Sequence, residues 1–174
     1  MNNGINIYAN KSVLKANKIE DRRRANEIYN LNTFQIGNFK IKPFDCQHTN
    51  NNETECENFG FIIEHKEIGK MIFATDTYYL KYKFKDIDHV LIECNYSEKD
   101  IQNIEPYRAR IFKSHMSLET LKETLKAWDL KKTKDITLIH LSENNADENY
   151  IKEEVEKLTG IPVYIAKKGL VIDG

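Results

Sequence analysis

At 174 residues the chain has the length of one domain, since domains run to roughly 100 to 200 residues, so a linker and a second fold are not expected. Its 26 Lys and Arg balance 27 Asp and Glu to a net charge of -1, which excludes a dedicated polyanion binder of the histone-like kind. Apolar residues make up 40% and fall in short blocks able to pair as strands, which excludes global disorder.

Blocks such as Gly60-Phe-Ile-Ile63 and Met71-Ile-Phe-Ala74 fall far short of the roughly 20 apolar residues that span a bilayer. The first eight residues show no basic lead followed by an apolar stretch, so nothing there resembles a secretory signal, and a cytoplasmic protein without a membrane partner is expected. Cys46, Cys56 and Cys94 are odd in number and lack Cys-x-x-Cys spacing, as reduced, partly buried thiols do.

In chain order, Ile5 to Tyr8 alternates with polar residues as a strand does, and Ser12 suits the N-cap of a following helix. Residues 11 to 24 carry six basic and two acidic side chains. Arg22-Arg23-Arg24 within them reads either as a phosphate-contacting patch or as a solvated turn or helix face. Phe34 and Ile36, then Phe39 and Ile41, with Gly37-Asn38 between, predict a hairpin whose two-residue turn needs positive φ. Strands are expected at Phe59 to Glu64 and Lys70 to Thr75. Asp45 to Glu57, Asn- and Glu-rich without Lys or Arg, reads as an exposed loop.

The second half changes period. His89 to Cys94 predicts a short strand, and Ser117 caps a helix whose Leu118, Leu121, Leu125 and Trp128 form one apolar stripe. Ile136 to Leu141 is the next strand. Asn145 with Glu148 opens a helix carrying Ile151, Val155 and Leu158, ended by Gly160 and Pro162. Val163 to Ile165 and Leu170 to Ile172 are expected as a terminal strand pair. An antiparallel-rich first half followed by alternating strands and helices predicts an α/β fold, a mixed sheet covered by helices.

Three candidate donors stand at or just beyond strand ends: His48, Asp76 and His140. Strand ends flowing into loops are where ligands gather, and two imidazoles and a carboxylate are donors of the type a Zn²⁺-like ion accepts. The alternatives are hydrogen-bonded structural histidines and an Asp that forms a turn or caps a helix. His115 lies in Lys113-Ser-His-Met-Ser117, two residues before a helix N-cap, where an imidazole can donate a proton to a leaving oxygen; otherwise it is an exposed loop residue. His65 and His89 read as surface or strand residues.

The ordered series Pro43-Phe-Asp-Cys-Gln-His48, Phe73-Ala-Thr-Asp-Thr77, Leu91-Ile-Glu-Cys-Asn95, Ser114-His-Met-Ser117 and Ile139-His-Leu-Ser-Glu-Asn-Asn145 resembles the C-terminal part of the metallo-β-lactamase superfamily. Within it, the series is most similar to the bacterial and phage branch of exonuclease-like metallohydrolases, relatives of the transfer-RNA 3′-processing endonucleases. The resemblance implies that His48 is a ligand of a first metal, that Asp76 bridges two metals and that His140 binds the second. It implies that His115 assists protonation of the leaving group or holds the scissile phosphate. For Glu93 and Asn95 it implies a structural duty at the end of the sheet.

The family signature His-x-His-x-Asp-His is absent from these residues, because the histidines are 48, 65, 89, 115 and 140 and no two are one residue apart. The chain thus resembles a family member lacking its N-terminal portion: a single incomplete domain over 1–174 and a partial αββα sandwich whose N-terminal strands are missing. Two expectations follow. One is a hydrolase using two Zn²⁺ or Mn²⁺ ions to cleave phosphodiesters in nucleic acid when the missing motif is supplied, with Arg22 to Arg24 steering the polyanion. The other is a catalytically inactive binding or assembly module, or a degenerate prophage remnant. Loss of preceding strands implies self-association or pairing with a separate N-terminal polypeptide.

Overall fold

The computed structural model describes residues 4–49, 55–101, 114–142 and 146–172. A short parallel pair, β1 (Ile7–Ala9) and β2 (Ala25–Glu27), flanks α1 (Lys11–Ala16). Next come β3 (Phe34–Ile36), β4 (Phe39–Thr49), β5 (Glu55–His65), β6 (Gly69–Ala74) and β7 (His89–Glu93). After β7 follow α2 (Leu118–Lys126), β8 (Asp135–Ile139), α3 (Glu148–Thr159) and β9 (Val163–Ile165). Strands β3 to β9 form one seven-stranded sheet in sequence order. Its β3 to β6 ladders are antiparallel and its β6 to β9 ladders parallel, the mixed sheet with helices that the sequence predicts.

One face of the sheet builds the core. Phe44 and Cys46 of β4, Ile72 and Ala74 of β6, Val90 and Ile92 of β7, Ile136 and Leu138 of β8 and Val163 of β9 alternate inward. They meet Leu118, Leu121 and Leu125 of α2 and Ile151 and Val155 of α3. Trp128, the last residue of the expected stripe, lies just past α2, buried, with its Nε1–H donated to the Tyr82 carbonyl at 3.0 Å. Each fully buried aliphatic side chain here contributes about 1.5–3 kcal/mol relative to exposure.

Several local expectations are corrected. Asn10, not Ser12, caps α1: its Oδ1 accepts the Val13 N–H at 2.8 Å, while Ser12 Oγ donates to Glu57 Oε2. Asp147 caps α3, accepting from the Tyr150 N–H, and Asn145 lies outside the described residues. The stretch 45–57 is not a loop over its described residues. The β4–β5 ladder continues from Asp45↔Phe59 to Thr49↔Glu55, so backbone groups pair with one another while polar side chains line the surface. Residues 170–172 form no strand, because a turn with Gly169 at φ +88° carries the chain off after β9 has paired with β8.

The hairpin turn at Gly37 has φ +55° as expected. Arg22 to Arg24 sit exposed in the turn entering β2, where the Arg24 guanidinium donates to the Gly4 carbonyl. Among the described residues no helix is long and apolar enough to cross a membrane.

Candidate metal centre

Strands β4, β6, β7 and β8 all run in the same direction, because β4 and β6 are each antiparallel to β5 and the later ladders are parallel. Their C-terminal ends therefore share one edge of the sheet. His48 is the second-to-last residue of β4, Asp76 lies two residues past β6, Glu93 ends β7 and His140 immediately follows β8. Residues distant in sequence converge there because the register sets Ala74 beside Ile92 and Glu93 beside Ile139.

His115 arrives from the segment preceding α2. That segment is pinned to the end of β7: the Asn95 N–H donates to the Met116 carbonyl at 2.9 Å and the Leu118 N–H to the Tyr96 carbonyl at 2.8 Å. Ser117 caps α2 as predicted, accepting from the Thr120 N–H.

Asp76, His115 and His140 each offer a donor atom, and these atoms lie within 4.8 Å of one another. The His115 ring stands 4.9 Å from that of His140 and 5.6 Å from that of His48, centroid to centroid, so His48 borders the cluster from the β4 side. Beside His48 opens a cleft of about 410 Å³ lined by Gln47, Cys56, Asn58, Tyr78 and Lys81 among others.

Glu93 is the member that sequence reasoning assigned only to the end of the sheet. Its carboxylate is fully buried: Oε1 lies 2.6 Å from His115 Nδ1 and 3.2 Å from His140 Nδ1, and Oε2 accepts the Thr77 N–H at 2.7 Å. Burial pushes its pKa up, but the hydrogen bonds from His115, His140 and Thr77 outweigh burial and hold it below the ordinary glutamate value. Bonding to Glu93 in turn raises the His140 pKa, with partial burial opposing and the charges of Glu93 and Asp76 adding to it. The sequence signal was available: an acidic residue closing the apolar run Val90 to Ile92 is seldom buried without partners.

The three histidines are oriented alike. A carboxylate accepts from His115 and His140 at Nδ1, and the Ser114 carbonyl, which can only accept, lies 2.8 Å from His48 Nδ1. Each Nδ1 therefore carries a proton, and in the neutral ring the Nε2 lone pair is left for a metal, the arrangement that outer partners impose on metal-binding imidazoles. The donor set, imidazole nitrogen and carboxylate oxygen, fits a divalent ion of the Zn²⁺ or Mn²⁺ kind. His65 and His89 stand apart, the first stacked on Phe39 and the second paired with Asp135 at 2.7 Å.

No protein-family model and no curated protein matches the sequence. Solved structures do superpose on it. The metallo-β-lactamase fold protein YhfI from Bacillus subtilis is 17% identical with a TM-score of 0.65, covering 97% of this chain and 64% of its own. Igni18, a metallo hydrolase from the hyperthermophilic archaeon Ignicoccus hospitalis, is 13% identical with a TM-score of 0.65, covering 96% of this chain and 67% of its own. A diphosphatase of the PhnP family is 17% identical with a TM-score of 0.56, covering 94% of this chain and 55% of its own. The chain thus spans 55% to 67% of the length of these proteins. Their superposition on the seven-stranded mixed sheet, with the donor residues gathered at its C-terminal edge, gives this chain the metallo-β-lactamase fold.

Proposed function

We propose that this chain carries the metal-binding and acid–base part of a hydrolase that cleaves phosphodiesters in nucleic acid. The observation that carries the reading is the cluster of Asp76, His115 and His140 around the buried Glu93 carboxylate. A diphosphatase among the proteins of the same fold supports a phosphoester substrate.

In this reading His48, Asp76 and His140 hold the ions, two in number when the remaining ligands are supplied from outside these residues. Divalent ions bound there would supply Lewis acidity toward the phosphoryl oxygen and lower the pKa of water toward neutrality. The chain's own residues do the rest. Glu93 fixes the His115 and His140 rings through their Nδ1–H groups, His115 in its doubly protonated form gives its Nε2 proton to the leaving oxygen, and Glu93 at Nδ1 stabilises that imidazolium before the proton leaves. The cleft beside His48 receives the phosphoester, with Lys81 as a cation on its wall.

The absence of His-x-His-x-Asp-His favours a second reading for the isolated chain, a catalytically inactive binding or assembly module. Native mass spectrometry after exposure to Zn²⁺ and Mn²⁺, with His140→Ala as control, separates the two. About one ion or more per chain, lost in the variant, supports the hydrolase reading and leads to assays on single-stranded DNA and RNA. No bound ion in either protein sinks it for this chain by itself.

A further inference from the structure

We propose that Asn58 and Asn95 are positioning residues that hold Asp76 and His140 in the backbone conformation aiming their side chains at one another. The proposal rests on the reading of Asp76 and His140 as metal donors. Both residues have left-handed backbones, with φ +51° at Asp76 and +59° at His140. Residues other than glycine rarely adopt this region, and when they do at functional sites the surrounding structure enforces it. Each also stands where a strand leaves the sheet. An extended residue there would prolong the strand alternation and send the next side chains to other faces.

The same contact enforces both. Asn58 Nδ2 donates to the Asp76 carbonyl at 2.7 Å and to the Thr75 carbonyl at 3.0 Å. Asn95 Nδ2 donates to the His140 carbonyl at 2.8 Å. The two asparagines precede their targets by 18 and 45 residues, so neither bond is a local turn contact. Both clamps are themselves anchored: Asn58 lies in the β4–β5 ladder opposite Cys46. Asn95 is buried, donating its N–H to Met116 and accepting the Ser142 N–H, both at 2.9 Å. A carboxamide suits the task because it brings a donor to a carbonyl; the isosteric Asp would bring an acceptor.

The test uses the isotope-labelled 174-residue chain, metal-free, and reads the amide-to-Hα coupling and intraresidue amide–Hα Overhauser effect of Asp76 and His140. The parent is expected to give left-handed values at both. Asn58→Asp should move Asp76 alone and Asn95→Asp should move His140 alone, each with at least a roughly 10-fold loss in Zn²⁺ affinity, as for other outer partners of metal ligands. A space-filling role would survive these isosteric changes. Asn58→Ala, at a half-buried position, is the second variant should Asn95→Asp not fold. Unchanged couplings with unchanged Zn²⁺ affinity overturn the proposal, as does a parent without left-handed values. A parent that gives the expected couplings and their expected movements but takes up no Zn²⁺ upholds the positioning and overturns the metal reading alone.

Discussion

Glu93 Oε1 lies 2.6 Å from His115 Nδ1, a fully buried carboxylate bonded to an imidazole that reaches it from 22 residues further along the chain. The same oxygen is 3.2 Å from His140 Nδ1. One acceptor thus orients two of the three clustered donors. Glu93→Ala should leave both Nδ1–H groups without that acceptor and weaken Zn²⁺ binding by roughly 10- to 100-fold. Isothermal titration of Zn²⁺ into parent and variant measures it; equal affinities would leave Glu93 with no part in the centre.

The pH dependence of the metal-free chain follows from the same contact. Glu93 is depressed below 4.5, so its contribution to stability is present above 4.5 and is lost as pH falls through its folded value. His140 is raised above 6.5, so its contribution is complete below 6.5 and is lost as pH rises through its folded value. Their joint contribution is therefore greatest between 4.5 and 6.5. In the presence of a chelator, the drop in Tm caused by His140→Ala should be larger at pH 6 than at pH 9. A gap that widens with rising pH would contradict the coupling.

The three thiols differ in what surrounds them. Burial pushes Cys46 up to about 12 and raises Cys94 as well, and both side chains are shut off from solvent. Cys56 is only partly covered, its thiol raised by burial and by the charge of Asp76. Native iodoacetamide labelling followed by peptide mass spectrometry should modify Cys56 alone, and faster as pH rises. Zn²⁺ at the neighbouring centre should change that rate.

Gly60 faces Phe44 across the β4–β5 ladder, and a Cβ there would collide with the Phe44 ring and crowd Cys46 Sγ. Gly60→Ala should cost about 1–3 kcal/mol by overpacking. Leu121→Ala, which removes a fully buried side chain of α2, should cost about 2–5 kcal/mol by leaving a cavity. Urea denaturation of both variants gives the values, and a neutral Gly60→Ala would mean that the Phe44 ring moves aside freely.

The sequence by itself determined the mixed sheet, the hairpin at Gly37, the α2 stripe and its Ser117 cap. Each is written in local periodicity, in turn chemistry or in a cap one turn from its target. It also named His48, Asp76, His115 and His140, through their places at strand ends and before a helix. It misjudged the described residues of 45–57, because polar composition says nothing about whether a backbone finds a ladder partner across the hairpin. Only the tertiary structure decided that His115, more than His48, sits within donor distance of Asp76 and His140. It alone decided that Glu93 lies between the rings and that Asn58 and Asn95 grip the carbonyls of Asp76 and His140. These contacts join strands brought side by side by register, and a long-range contact leaves no period in the sequence from which it could be read.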